Sequence, residues 1–228
     1  MHIIGHRGAI TYAVENTISS IYAMKVLNND WIEADVMLTK DKIPIMFHDE
    51  NLDRLTYRTG NVNSYNYNEL KNIELKNTNN KIPLLSDFIE KCEELKINIM
   101  LELKTCQNEY ELVIKVIELI KNIKNIIIIT CSYSERILEY LNLLYPNNSY
   151  IYIVDKIPDD WYEKVQRYKC NGISINYNSN ELKNIKLCSD KIPTYCFTIN
   201  KIDDYCKIKN MNIKGIITDK PEIFNKKI

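Results

Sequence analysis

Short runs of apolar and β-branched residues alternate along the chain with longer segments of mixed polarity. The apolar runs predict eight strands, at residues 2–5, 31–38, 98–104, 126–133, 149–154, 172–177, 194–199 and 215–219. The segments between them predict seven helices, at 16–28, 84–95, 110–123, 134–144, 160–168, 181–188 and 203–211. Because strand and helix alternate, we expect parallel β-α units, and eight such units predict a closed (β/α)8 TIM barrel.

One further strand does not fit this alternation. KIPIMFHD (42–49) follows the second strand after the polar turn TKDK, which is too short for a helical crossover, so the two strands should form a hairpin. Segment 50–80 fits no β-α unit either. We therefore expect one barrel domain over 1–228, with 39–80 as a small insertion after the second strand. An open doubly wound sheet is the rival fold, but its G-x-G-x-x-G fingerprint is missing.

Composition narrows the class of protein. The chain has 228 residues, of which 45% are hydrophobic, and 30 basic residues balance 30 acidic ones. This balance gives no electrostatic footprint for nucleic acid or an anionic membrane. The seven cysteines form no C-x-x-C pair, and the start of the chain lacks a secretory signal, which together favour a cytoplasmic protein. The apolar runs are too short to span a bilayer, so we expect no stable membrane anchoring.

Two carboxylates interrupt the apolar second strand, WIEADVML. Glu33 and Asp35 share one strand face, and because charges are costly against helices, both should point into the barrel. In LELK, Glu102 and Lys104 share a face in the same way. Three carboxylates exceed the charge of Lys104, and oxygen ligands suit a hard divalent cation, Mg²⁺, Ca²⁺ or Mn²⁺. The spacing alone leaves an internal salt-bridge network with Lys104 and an arginine equally open.

Two of the three histidines end strand-like runs, His6 in IIGHRG and His48 in IMFHD. Catalytic groups of barrels lie where strands end, and histidine titrates near neutrality, so the pair favours acid–base chemistry over two capping histidines. Arg7 can bind a phosphate with two parallel hydrogen bonds, or it can pair with one of the carboxylates. Gly8 allows the tight turn that brings the backbone close to such a ligand. Together with a metal and Lys104, these residues suit hydrolysis of a small phosphodiester.

Several motifs then follow one another along nearly the whole chain: GHRGA, ENT, E-A-D with TKDKIPIMFHDENLDRLT, KIPLLSDFIE, LELK and GIITDKPE. In this order and combination they resemble the glycerophosphodiester phosphodiesterase family. The resemblance implies a (β/α)8 barrel with a small insertion after the second strand. It also implies hydrolysis of a small-molecule glycerophosphodiester to an alcohol and glycerol phosphate.

The resemblance implies roles for individual residues. His6 and His48 would be the acid–base pair. One divalent cation, Mg²⁺ or Ca²⁺, would be held by Glu33, Asp35 and Glu102. The phosphate would be contacted by Arg7 and Lys104. Four more residues match family positions as supporting residues: Glu15, Asn16, Asp49 and Arg54.

One position departs from the family pattern. Where the family usually has the tryptophan of a W-T-x-N segment, CFTIN places Phe197, a smaller aromatic ring without an N–H donor. We expect Phe197 to line the substrate pocket. The departure then bears on the choice of alcohol and leaves the chemistry intact.

Three alternative functions follow from the same residues. A lysophospholipase D on the same fold would need an apolar channel or a membrane-contact patch, and the sequence shows neither. A catalytically inactive phosphodiester-binding module would lack a histidine or a carboxylate of the set, and all five are present. A metal-dependent sugar-phosphate enzyme would not need HRG followed by HD. The sequence predicts no particular oligomeric state.

Overall fold

The computed structural model describes residues 1–224, and a closed parallel barrel forms its centre. The strands are β1 (His2–Gly5), β2 (Trp31–Leu38), β3 (Pro44–Met46), β4 (Asn98–Leu103), β5 (Ile128–Ser132), β6 (Tyr150–Val154), β7 (Gly172–Asn176), β8 (Thr194–Phe197) and β9 (Ile213–Thr218). All except β3 lie in the barrel, in the order β1-β9-β8-β7-β6-β5-β4-β2, and pairing of Gly5 with Ile32 closes it. The predicted fold class is confirmed. The last four residues of the predicted domain, 225–228, lie outside the described residues.

Helices cover the outside of the barrel. They are α1 (Ile18–Val26), α2 (Tyr67–Leu70), α3 (Leu85–Leu95), α4 (Glu109–Ile120), α5 (Glu135–Leu144), α6 (Trp161–Arg167), α7 (Leu182–Ser189) and α8 (Ile202–Ile208). All seven predicted helices are present, with shifted ends. The first begins two residues later than predicted, because Asn16 has a left-handed φ of 55° and the Thr17 side chain caps the helix.

The second strand carries the hairpin that the sequence predicts. β3 pairs antiparallel with the second half of β2, where Leu38 lies opposite Pro44. The strand is shorter than the predicted 42–49, because the chain leaves the sheet after the Phe47 N–H donates to the Asp35 carbonyl. The insertion that follows contains α2 and packs around its own apolar cluster: Met37, Ile45, Phe47, Leu52, Val62, Leu70, Leu75 and Ile82.

Alternation along β2 and β4 decides which side chains enter the barrel. Ile32, Ala34 and Val36 belong to the core between strands and helices. Trp31 and Met100 belong to a separate cluster inside the barrel. Glu33, Asp35 and Glu102 therefore share the interior face with that second cluster, as predicted. Among residues 1–224, no helix is both long and apolar enough to cross a bilayer.

Candidate active site

Three carboxylates meet inside the barrel at the carboxyl end of its strands. Asp35 lies opposite Glu102 across the β2–β4 ladder, and Glu33 lies two residues before Asp35 on the same face. One oxygen of each of the three carboxylates lies within 4.8 Å of the other two. Glu33 and Asp35 are buried and Glu102 is half-buried. The convergence predicted from strand spacing is therefore present.

The two predicted cations contact this cluster unevenly. Lys104 Nζ lies 2.7 Å from Glu102 Oε1 and 3.5 Å from Asp35 Oδ1, and Arg7 Nε lies 3.4 Å from Asp35 Oδ2. Glu33 has no ion pair among the described residues; its Oε2 accepts only the backbone N–H of Arg7, at 2.9 Å. Within residues 1–224, direct ion pairs thus reach Asp35 and Glu102 but not Glu33.

This charge imbalance indicates what the cluster can hold. Burial and the neighbouring charge of Asp35 raise the pKa of Glu33, and the same two causes raise that of Glu102. A positive ion among the oxygens would remove the repulsion that causes part of these shifts. The donors are all carboxylate oxygens, which hard divalent cations prefer. Glu33, Asp35 and Glu102 therefore fit a divalent metal ion, and they fit it better than a closed salt-bridge network.

Each predicted histidine is held by a carboxylate through its Nδ1 atom. His6 Nδ1 lies 2.6 Å from Asp219 Oδ1, and His48 Nδ1 lies 2.6 Å from Asp49 Oδ1. Both rings line the central cavity together with Arg7. Because the Nδ1 atoms are engaged, Nε2 of each ring is the atom left for proton exchange with a ligand.

The two histidines differ in their electrostatic surroundings. For His6, burial acts to lower the pKa, but the hydrogen bond with Asp219 and the charge of Glu33 outweigh it, so the pKa is raised. For His48, burial dominates and the pKa is lowered, even though Asp35 opposes the shift. The surroundings therefore favour the imidazolium form more at His6 than at His48.

The four supporting residues lie around the same site. Glu15 accepts from Arg7 Nη1 at 3.0 Å and from Arg54 Nη1 and Nη2 at 2.7 Å each. Arg54 also donates through Nε to Asp49, the partner of His48. These contacts connect the insertion, which contributes Arg54, to the loop after β1, which contributes Arg7 and Glu15.

Asn16 and Gly8 shape that loop. Asn16 donates through Nδ2 to Asp35 Oδ2 at 2.9 Å, and its Oδ1 accepts the Asp35 N–H at 3.0 Å. Gly8 has a φ of 99°, and a Cβ there would lie 2.5 Å from the Ser20 Cβ of α1. The turn that presents Arg7 thus requires glycine, as the sequence indicated.

A cavity of about 250 Å³ opens beside the carboxylates and the two histidines. Phe197 lies in its wall, half-buried, with its ring centroid 6.4 Å from that of Tyr133 at 87°. Phe197 thus lines the cavity that both histidines share, and its contact with substrate stays a prediction. Towards the interior, the wall is mainly apolar and consists of Met100, Cys131, Ile153, Ser174 and Ile217.

Sequence reasoning assigned no role to two residues that the structure brings to the site. Asp219 follows β9 and holds His6, while Asn200 Nδ2 donates to Asp219 Oδ2 at 2.6 Å. An acidic residue at the end of the run GIITD was the available signal for Asp219. Asn200 is the asparagine of the W-T-x-N segment, which was the available signal, although the partner that it contacts lies 19 residues away.

Comparison with known proteins agrees with this geometry. The sequence profile of the Glycerophosphoryl diester phosphodiesterase family matches residues 6–223. The chain belongs to this family. As a member, it is a phosphoric diester hydrolase.

Two solved structures are similar over nearly the whole chain. A phosphodiesterase of Oleispira antarctica in complex with the product sn-glycerol-3-phosphate is 27% identical, with a TM-score of 0.92, and the match covers 98% of this chain and 94% of that one. A glycerophosphodiester phosphodiesterase of Thermotoga maritima is 27% identical, with a TM-score of 0.82 and coverage of 99% and 98%. The lysophospholipase D of Rattus norvegicus is 32% identical, but the match covers 53% of this chain and 41% of that protein.

Proposed function

We propose that this chain is a metal-dependent glycerophosphodiester phosphodiesterase, which hydrolyses its substrate to an alcohol and glycerol phosphate. The observation that carries the proposal is Glu33, a buried carboxylate that forms no ion pair within residues 1–224, beside a cavity that both histidines line. The cavity joins Lys104 and Arg7 to this arrangement, so a phosphate can meet cations, carboxylates and proton donors at one place. The product bound by the similar Oleispira antarctica phosphodiesterase supports the same substrate class.

The binding roles follow from charge. A divalent cation held by Glu33, Asp35 and Glu102 would supply positive charge to the phosphoryl oxygens in the transition state. Arg7 and Lys104 approach that position from either side of Asp35 and hold the phosphate by charge-assisted hydrogen bonds. We propose Mg²⁺ or Ca²⁺ as the ion, with Mn²⁺ as a third candidate of the same hardness.

The proton roles follow from the two histidine environments. With Asp49 holding its Nδ1–H, neutral His48 presents an Nε2 lone pair and takes the proton of the attacking hydroxyl. With Asp219 holding its Nδ1–H, cationic His6 presents an Nε2–H and protonates the alkoxide as the phosphorus–oxygen bond to the alcohol breaks. The attacking hydroxyl belongs either to water or to the glycerol part of the substrate.

A second candidate is a lysophospholipase D. Its support is the similarity to the rat enzyme and an apolar depression on the loop after β1, beside Glu15. Ile10 and Tyr12 line it and are 37% and 60% exposed. A long acyl chain could lie there, although the sequence had shown no such patch.

One experiment tests the proposal against this alternative. The purified protein is incubated with glycerophosphocholine, glycerophosphoethanolamine and lysophosphatidylcholine below its micelle concentration, each with and without chelator. We expect chelator-sensitive release of glycerol phosphate and a higher kcat/KM for the soluble diesters. A higher kcat/KM for lysophosphatidylcholine would favour the lysophospholipase D. Activity that survives chelation and is not increased by added Mg²⁺ or Ca²⁺ would contradict the metal dependence.

The histidine assignment predicts a bell-shaped dependence of kcat/KM on pH. As pH falls, activity should disappear with protonation of His48, below the usual histidine pKa of about 6.5. As pH rises, activity should disappear with deprotonation of His6, above that value. Asp219→Asn removes the carboxylate that stabilises cationic His6, so the alkaline limb should move to lower pH while the acidic limb stays. An unmoved alkaline limb in a folded Asp219→Asn variant would refute the assignment of His6 as the acid.

The position of Phe197 predicts an effect on substrate choice. Arg7, Lys104 and the metal address the phosphate, so the alcohol must be distinguished elsewhere in the cavity. Phe197→Ala removes one of two perpendicular aromatic walls and should change the KM of different head groups unequally, by about 3–10-fold, a typical effect of losing one aromatic contact. Metal affinity, measured by titration calorimetry, should not change. Equal changes in KM for every head group would show that Phe197 does not contact the alcohol.

A further inference from the structure

Ser174 is a buried hydroxyl for which the described residues offer no partner. It lies on β7, its side chain enters the barrel, and 1% of the residue is exposed. Its Oγ is buried and makes no hydrogen bond within residues 1–224, and Ser174 is one of the residues that line the cavity beside the carboxylates and histidines. Buried hydroxyls are nearly always paired, so one that is left open inside an active-site cavity indicates a contact with a ligand.

The place of Ser174 in the barrel restricts which part of a ligand it meets. In the closed ring of eight strands, β7 stands opposite β2, which carries Glu33 and Asp35. Ser174 also lies one inward-facing position deeper than Asn176, which is nearer the carboxyl end of β7. If the phosphate of a ligand lies at the carboxylates, the part of that ligand that can contact Ser174 is the substituent that points into the barrel.

The surroundings of Ser174 suit a small group with one hydroxyl. Its neighbours in the inner wall of the cavity are Met100, Cys131, Ile153 and Ile217, all of which are buried. Of these five side chains, only the Ser174 hydroxyl and the Cys131 thiol can donate hydrogen bonds, and the thiol is the weaker donor. This part of the wall is buried and mainly apolar, whereas Tyr133, which is 38% exposed, and Phe197 line the cavity nearer its mouth.

We infer that the Ser174 hydroxyl binds the terminal hydroxyl of the substrate's glycerol moiety. This inference rests on the proposed function and adds to it which end of the diester enters the barrel. Glycerol is the small, constant part of the substrate class, and its terminal hydroxyl is the polar atom on that arm farthest from the phosphorus. The variable alcohol then points to the mouth. A glycerol acylated at its terminal hydroxyl would lose this contact.

The test compares two substrates that differ in one hydroxyl. Glycerophosphocholine carries the terminal hydroxyl, whereas propane-1,2-diol 1-phosphocholine lacks it and keeps the hydroxyl next to the phosphate-bearing carbon. For the unchanged chain we expect kcat/KM to be about 10-fold higher with glycerophosphocholine, since a site built to bind a hydroxyl rejects the analogue without it. Ser174→Ala should lower kcat/KM about 10-fold with glycerophosphocholine and leave the value for the diol substrate nearly unchanged.

Two further variants separate recognition from structure. Ser174→Cys keeps the shape of the side chain with a weaker donor, so it should reproduce the selective loss even if the alanine variant folds poorly. Ser132→Ala is the matched control on a neighbouring part of the barrel. Ser132 is also fully buried on a strand, but its hydroxyl already donates to the Leu103 carbonyl at 2.8 Å. Its loss should affect both substrates by the same factor.

The outcomes separate the inference from the function on which it depends. If the unchanged chain cleaves both substrates and the Ser174 variants lose activity equally on both, Ser174 does not bind the terminal hydroxyl. Glycerophosphoethanolamine is assayed alongside them: if the Ser174 variants lose activity by different factors on glycerophosphocholine and glycerophosphoethanolamine but equally on the two choline substrates, the alcohol end enters the barrel and the inference is wrong. If the unchanged chain cleaves neither diester, the proposed function fails and the inference fails with it.

Discussion

Asp35→Asn should remove metal-dependent activity while the barrel stays folded. Asp35 lies between Lys104, Arg7 and the other two carboxylates, and it is 1% exposed. Loss of its charge removes one of three ligands, so the effect on metal affinity and turnover should exceed the roughly 10–100-fold typical of residues that only orient a ligand. Titration calorimetry with Mg²⁺ and Ca²⁺ and the initial rate on glycerophosphocholine measure the two effects.

The matched control for this variant is Asp203→Asn. Asp203 is an exposed acidic residue in the first turn of α8, outside the cavity, and its replacement makes the same chemical change. We expect Asp203→Asn to bind the metal and turn over substrate as the unchanged chain does. A folded Asp35→Asn variant with full, chelator-sensitive activity would exclude Asp35 as a metal ligand.

His6→Ala and His48→Ala should each lower kcat by roughly 10²–10⁴-fold, the range expected for loss of a general acid or base. The two side chains serve opposite proton transfers in one reaction, so the double variant should lose less than the product of the single losses. Single-turnover rates measured at the pH optimum of the unchanged chain separate this chemistry from product release. Losses that multiply strictly would show that the two histidines do not act in the same step.

The third histidine is the natural control. His2 lies at the start of β1, the opposite end of the strand from His6, and its ring packs on Trp31 with centroids 5.0 Å apart. His2→Ala removes the same side chain type from the far end of the barrel. We expect kcat to stay within about twofold of that of the unchanged chain, because within residues 1–224 the His2 side chain makes no hydrogen bond or ion pair with Glu33, Asp35 or Glu102. A loss comparable to that of His6→Ala would indicate that histidine loss acts through stability rather than proton transfer.

Strand period was sufficient to predict the carboxylate cluster. Because side chains alternate along a strand, Glu33 and Asp35 had to share a face, and burial cost placed that face inside the barrel. The structure confirms this through the register of Asp35 with Glu102. The short polar turn before residue 42 likewise predicted the β2–β3 hairpin, since no helix fits in that space. These are local rules, and a single sequence is enough to apply them.

Contacts between segments that are distant in the sequence could not be predicted from local patterns. Asp219 holds His6 across 213 residues, and the hydrogen bonds of Arg54 with Glu15 join the insertion to the loop after β1. Neither pairing leaves a periodic signal, because each depends on where two separate segments end in space. The inner structure of residues 50–80 was also beyond pattern reasoning, since its short elements pack on a small cluster of their own.

The sequence by itself determined the barrel, the hairpin after β2, and the residue types that meet at the carboxyl ends of the strands. Alternation of strands and helices and the two-residue period of β-structure are properties of the chain that need no partner. Only the tertiary structure decided that the two histidines have different partners. It also decided that, within residues 1–224, Glu33 has no ion pair and the buried hydroxyl of Ser174, a residue of the cavity wall, has no hydrogen-bond partner. These properties depend on distances and burial across the closed barrel, which arise only when all eight strands have come together.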